Sequence, residues 1–159
     1  MQQAAARRGP KMAEAEAQGS VAPVARASGR RLLLLTNGSR GDVQPFVALG
    51  MALKRAGFAV RVSTNVNLVG FVQSMGLDAV GTNPDSEVWL REDPKMVECV
   101  SKGNILEFMR SLNDFNRKHF PEALSKKIEE VNAWRPDLII ASGLDYAEAV
   151  VLAGTRGIP

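Results

Sequence analysis

Residues 31–46, "RLLLLTNGSRGDVQPF", decide the fold. Leu32 to Leu35 form an unbroken apolar run that closes on Thr36, Asn37 and Gly38. So short a run without polar alternation reads as a strand buried on both faces. A polar turn follows, Gly38 to Gln44. Pro45 then suits a first helical position, and Phe46, Leu49, Leu53 and Ala56 recur at helical spacing until Gly57. Strand, glycine-containing loop and helix together open an α/β unit.

The pattern repeats outward from there. Phe58 to Thr64 predicts a second strand, with Val60 and Val62 alternating against Arg61 and Ser63, and Leu68 to Met75 a short helix closed by Gly76. Leu77 to Val80 supplies a short third strand. From Gly81 to Pro94 no clean period exists, and Gly81, Pro84, Asp85, Asp93 and Pro94 predict a long surface connection. Ile105, Phe108, Leu112 and Phe115, then Leu124, Ile128 and Val131 beyond Pro121, predict two helices or one broken one. Leu138 to Ala141 is a fourth buried strand, and Tyr146 to Thr155 a helix ahead of Gly157, Ile158 and Pro159. Strands alternating with helices predict an α/β fold, a doubly wound, Rossmann-like parallel sheet that binds ligands beyond the carboxyl ends of its strands. Those ends are residues 37–44, 65–67, 81–84 and 142–145. A Gly-Ile-Pro exit ordinarily leads into another parallel strand, so the domain is expected to be incomplete at its carboxyl end.

The chain has 159 residues, 45% hydrophobic and 23% charged, a balance that fits one globular core. Its formal charge of +3 lies wholly in residues 1–30, where Arg7, Arg8, Lys11, Arg26 and Arg30 outweigh Glu14 and Glu16. The remainder is neutral, so no basic face for nucleic acid is indicated. Residues 1–29 read as a disordered extension, and residues 30–159 as the folded domain. The Ala, Arg and Ser content of the extension leaves organelle targeting open, although Glu14 and Glu16 go against it. No secretory-type apolar core is present, and nowhere is there the unbroken apolar run of about 18 to 20 residues that a membrane-spanning helix requires. The expected location is therefore cytoplasmic. One cysteine, Cys99, and one histidine, His119, give neither a disulfide nor a cysteine- or histidine-built metal site.

The loop Gly38 to Pro45 is not a phosphate-binding Walker loop, because Gly-Lys-Ser/Thr is missing. Nor is it a dinucleotide fingerprint: the spacing of Gly38 and Gly41 is wrong, and no acid stands near Ser63 and Thr64 to hold a ribose. What "LTNGSRGDVQPFVALGMALKRAGFAVRVSTN", residues 35–65, resembles is the opening of the two-domain (GT-B) glycosyltransferases. The similarity is to the family of sterol and lipid glucosyltransferases and glycopeptide-antibiotic glycosyltransferases (family 28 N-terminal domain type). "RPDLIIAS" and "AGTRGIP", residues 135–142 and 153–159, resemble the same family's fourth strand and the helix leading to a fifth.

The resemblance implies the amino-terminal, acceptor-binding half of an inverting enzyme. That enzyme would move a hexose, glucose by expectation, from a nucleotide-diphosphate sugar such as UDP-glucose to a sterol, lipid or other hydrophobic hydroxyl. The nucleotide sugar is a co-substrate held by a carboxyl-terminal domain, and no cofactor or metal is implied. An isolated acceptor half is expected to be inactive. The alternative is a stand-alone binding module, or one subunit of a split transferase.

Asp42, which matches the aspartate of the family's Gly-Asp-Val motif, is the candidate base. Its competing role is to cap the helix that follows. Gly38 and Gly41 are expected in tight turns that let the backbone approach the substrate. Ser39 is a candidate donor to it. Arg40 faces either the donor phosphates or a carboxylate of the fold. Asn65 and Asp145, at the ends of the second and fourth strands, are further substrate-side candidates, with Asp145 also suited to capping the last helix. Trp89, Phe108 and Leu112 are candidate walls of an acceptor pocket, joined by Met96; Phe108, Met109, Leu112 and Phe115 otherwise form a core stripe. His119 reads as packed rather than catalytic, and Cys99 as a small buried hydrophobe. Arg117, Lys118, Lys126 and Lys127 read as a solvated helix face, with peripheral membrane contact the sharper alternative.

Overall fold

The computed structural model describes residues 29–159. The expectations for the extension at residues 1–28 lie outside the described residues. Four strands, β1 (Arg31–Leu35), β2 (Ala59–Asn65), β3 (Asp78–Asn83) and β4 (Leu138–Ala141), form one parallel sheet in the order β3-β2-β1-β4. Six helices connect or follow them: α1 (Arg40–Arg55), α2 (Val69–Ser74), α3 (Ser86–Glu92), α4 (Pro94–Lys102), α5 (Ile105–Trp134) and α6 (Tyr146–Arg156).

Because side chains alternate across a strand, the leucine run feeds two cores. Leu34 packs with Val43, Val47, Val60, Val62 and Val72 under α1 and α2. Leu33 and Leu35 pack with Val131 and Leu152 under α5 and α6. All four leucines of β1 are buried, which is why the run carries no polar residue. Gly50 brings α1 close to the sheet, since a Cβ there would lie 2.9 Å from Leu77 and 3.2 Å from Leu34. On the α5 face of β2, Arg61 makes 2.6 Å ion pairs to Asp78 and Glu130 and lies 4.1 Å above the Trp134 ring.

Four expectations need correction. Helix α1 begins at Arg40, with Ser39 as its N-cap, and Pro45 lies inside it. Pro45 sits early enough that its missing N–H withholds a bond only from the Gly41 carbonyl. The stretch 81–94 is not a loop: β3 runs to Asn83, and two short helices follow. Asp85 caps the first through Glu87 and Val88 N–H, and Asp93 caps the second through Lys95 and Met96 N–H, ahead of Pro94 at the first position. Helix α5 continues through Pro121 over 30 residues, about 45 Å, with the exposed proline ring on its outer side. Lys127, expected in solvent, is completely buried. At the other end of the chain, Ile139 N–H donates to the Pro159 carbonyl at 2.9 Å, so the exit from α6 returns beside β4.

The central leucines set stability. Leu34→Ala should lower the unfolding free energy by about 2–5 kcal/mol, read as a lower urea midpoint at unchanged slope. An unchanged midpoint would mean that the sheet is not packed through β1 as described.

Candidate active site

The carboxyl ends of the strands converge on one buried amide. Asn65, the last residue of β2, accepts from Gly38 N–H at 2.9 Å through Oδ1, and donates through Nδ2 to Asn37 Oδ1 at 3.0 Å and to the Pro84 carbonyl at 2.8 Å. Both its polar atoms are spent inside the protein and its side chain is buried. It is therefore a positioning residue that joins the loops after β1 and β3, not the substrate contact expected from the sequence. Ser86 adds a further tie, donating from Oγ to the Gly38 carbonyl at 2.7 Å.

Held at both its amide and its carbonyl, Gly38 adopts φ +120°, a region open in practice to glycine. A Cβ there would sit 2.5 Å from Asp42 Oδ2. The space it leaves lets the Asp42 carboxylate fold back over the loop, where Oδ2 accepts from Ser39 N–H and from Ser39 Oγ, each at 2.8 Å. Asp42, third residue of α1, thus closes the helix start in the manner of a capping box. The carboxylate is exposed, and Oδ1 has no hydrogen-bond partner among the described residues. Gly41 departs from expectation: it is helical, and a Cβ would find Ser39 Oγ at an ordinary 3.5 Å. Arg40 has no carboxylate partner among the described residues; its guanidinium lies 4.4 Å over the Phe71 ring.

Beside this loop lies an apolar cavity of about 420 Å³. Trp89, Phe108 and Leu112 form its walls, and Gly38, Ser39 and Asp42 border it. The structure brings together the catalytic candidate and all three pocket candidates. Trp89 is fixed by stacking on Phe115 at 4.2 Å, and Phe115 in turn meets the half-buried His119 ring at 4.5 Å. Met96 is not a wall; it is fully buried under α4, as is Cys99 nearly so.

Asp145 neither caps α6 nor reaches a cavity. It is buried, with Oδ1 2.6 Å from Lys127 Nζ and Oδ2 accepting from Ser142 Oγ at 2.9 Å. Burial pushes the Asp145 carboxyl above its usual range, against the pull of Lys127 and the Ser142 hydrogen bond. The same ammonium donates to Glu148 Oε1 at 3.0 Å and to Asn83 Oδ1 at 3.1 Å, so α5, α6 and β3 meet at one nitrogen. Lys127 was missed because it follows Lys126. The signal that locates it is phase, since Ala123, Lys127 and Val131 form one buried stripe at four-residue spacing. Among the described residues no group of three or more His, Cys, Asp or Glu side chains could hold a metal ion.

Residues 32–155 match the glycosyltransferase family 28 N-terminal domain. The chain belongs to this family. It is 44% identical, over 63 residues, to an uncharacterized glycosyltransferase of Mycobacterium leprae, covering 40% of this chain and 15% of that one. Across 131 residues it is 27% identical to a sterol 3-beta-glucosyltransferase of Arabidopsis thaliana, covering 81% and 21% respectively. Among solved structures it is similar to the Streptomyces sp. SF2575 glycosyltransferase SsfS6 in complex with thymidine diphosphate, with a TM-score of 0.56, 26% identity, and coverage of 82% of this chain and 37% of that one. The family 28 chain described here thus spans about a fifth or less of the length of these two curated relatives. The four-stranded parallel sheet is the Rossmann-like architecture of the GT-B glycosyltransferases.

Two sets of substitutions test the site's construction. Gly38→Ala should destabilise by about 1–3 kcal/mol through backbone strain and the displaced carboxylate. Gly41→Ala should be neutral or stabilise by up to about 1 kcal/mol, because a helical glycine gains from a Cβ that clashes with nothing. Equal effects in thermal unfolding would contradict the loop geometry. Lys127→Met strands two buried carboxylates and should cost about 3–5 kcal/mol near pH 8. The Asp145 carboxyl, which burial already holds above its usual range, then loses the opposing pull of Lys127, so the folded state holds more protons than the unfolded one. The deficit against wild type should therefore shrink as pH falls toward 5, in parallel denaturation curves.

Proposed function

We propose that this domain is the acceptor-binding half of a glycosyltransferase that moves a hexose, glucose in the first instance, onto a hydrophobic hydroxyl compound such as a sterol or lipid. The observation that carries the reading is the Asp42 carboxylate, with Ser39, at the border of an apolar cavity walled by Trp89, Phe108 and Leu112. An apolar acceptor body buries itself against those walls while its hydroxyl lies beside the one oxygen, Oδ1, that the cap leaves unspent. The donor is a nucleotide-diphosphate sugar; SsfS6 was crystallised with thymidine diphosphate, and the Arabidopsis relative is named for glucosyl transfer to a sterol.

In this mechanism the acceptor oxygen attacks the anomeric carbon as its proton passes to Asp42. The bond between that carbon and the diphosphate oxygen breaks, and the nucleoside diphosphate leaves with the electron pair. A carboxylate in open water is a weak base for a hydroxyl. A donor-binding domain closing over the strand ends would exclude that water from the reacting hydroxyl. Ile105, Leu106 and Met109 stand exposed on α5 next to the cavity walls, which supports delivery of the acceptor from a membrane surface.

Asp42→Asn separates the two duties of this side chain, because an amide oxygen still accepts from Ser39 N–H while the base is lost. In the full-length protein, with UDP-glucose and a sterol acceptor, turnover should fall by about 10²–10⁴-fold with the unfolding midpoint little changed. Turnover within threefold of wild type would remove Asp42 as base.

A further inference from the structure

Two hollows lie near the loop that carries Asp42: the apolar cavity of about 420 Å³ and a second one of about 560 Å³. Hydrocarbon contributes much of the second lining too, with Phe120 and Ala123 from α5 and Ala147 from α6. The two share Asn37, Phe115, Asn116 and Leu144, so these four side chains stand between them. A third recess, of about 500 Å³ on the α1 side of Asp42, is bordered by Asn37 and Leu144 as well.

Of these dividers, Asn37 is bonded through Oδ1 to Asn65, and Phe115 is stacked between Trp89 and His119. Leu144 has no polar atom in its side chain and is set in place by its backbone. It is the middle residue of a single 3₁₀ turn, Gly143–Asp145, anchored on both sides. Ser142 N–H donates to the Leu35 carbonyl at 2.8 Å, Asp145 N–H donates to the Ser142 carbonyl at 3.1 Å, and the Asp145 side chain is held by Lys127. Leu144 is 41% exposed and belongs to neither core, so its bulk is not spent on stability. That bulk stands beside the reactive loop instead: Cδ1 lies 3.1 Å from where a Cβ on Gly38 would be. An acceptor whose hydroxyl sits beside Asp42 therefore has Leu144 at the branch between two apolar directions.

We infer that Leu144 is a specificity-determining residue for the acceptor. It partitions the two cavities and confines the acceptor's apolar body to the one walled by Trp89, Phe108 and Leu112. A hydroxyl at the end of an apolar body is accepted, and a hydroxyl flanked by two apolar arms is refused, because the second arm meets the leucine. The inference rests on the transferase reading for the identity of the ligand as acceptor; the partition itself does not depend on Asp42 acting as base.

Binding is therefore the readout, not turnover. The full-length protein is titrated with 1-nonanol and 5-nonanol, isomers of equal hydrocarbon content with one arm or two at the hydroxyl carbon. Wild type should bind 1-nonanol about tenfold or more tightly, the factor that two methylenes kept from burial supply. Leu144→Ala joins the cavities and should bring the two affinities within about threefold, chiefly by tighter binding of 5-nonanol. Leu144→Met conserves volume and should keep the wild-type ratio. Leu112→Ala widens the first cavity without opening the partition, so it should change both affinities together. A wild-type ratio near one, a Leu144→Ala ratio equal to wild type, or an equal collapse of the ratio in Leu112→Ala would each overturn the assignment. The wild-type ratio decides even where a variant folds poorly. A collapse of the ratio in Leu144→Ala, together with retained turnover in Asp42→Asn, would sustain the partition and remove only the base.

Discussion

The Asn65 side chain is the constraint on which the geometry of the strand ends depends. A parallel sheet delivers several loops to one edge, and each loop arrives with backbone groups that no strand neighbour satisfies. One carboxamide meets two of these demands, the Gly38 amide and the Pro84 carbonyl, and ties in the Asn37 side chain as well. No other side chain type offers an acceptor and two donors in so short a reach, apart from the longer glutamine. Once Gly38 is pinned, its positive φ is imposed, Ser39 becomes the helix cap, and Asp42 has a single place to go. The carboxylate's position is thus a consequence of a hydrogen-bond balance located one strand away.

Lys127 performs a parallel task on the opposite side of the cavities. Burying an ammonium with two carboxylates and an amide earns little net stability, since desolvation consumes most of the attraction. What it provides is registration. Helix α5 is long enough to slide by a turn against the sheet, and an apolar stripe alone tolerates such slippage. A buried charge that must meet Asp145, Glu148 and Asn83 together tolerates none. That register sets where Phe108, Leu112 and Asn116 stand relative to the loop that carries Asp42.

Much of this was legible in the residues, for identifiable reasons. Leu32 to Leu35 declare a strand buried on both sides because nothing polar interrupts them, and the loop motif from Gly38 to Pro45 carries a family resemblance that the fold and the family match bear out. Legibility fails where tertiary contacts override local signals. Glycine and proline density between Gly81 and Pro94 conceals two aspartate caps, each of which starts a helix too short to show a period. Lys127 and Asp145 look like surface charge and helix cap because each is judged with its sequence neighbours, whereas the partner of each lies 18 residues away. Arg40 illustrates the same limit: charge suggested an ion pair, and the fold supplied an aromatic face.

The site residues fall into two physical kinds, and the difference bears on mechanism. Asn65, Asp145 and Lys127 have their hydrogen-bonding capacity consumed within the protein, so they hold and do not act. Asp42 differs: Oδ1 has no hydrogen-bond partner among the described residues, and the residue borders the apolar cavity. A cap needs only one carboxylate oxygen, so the capping that Asp42 performs is compatible with the proton abstraction proposed for it. Anchoring Oδ2 to Ser39 also restrains the rotation of an exposed aspartate, so Oδ1 is held in one orientation. The remaining requirement is exclusion of water. The Asp42 carboxylate is exposed at the strand ends and borders cavities on two sides, so the proposed base would work only where that surface is covered.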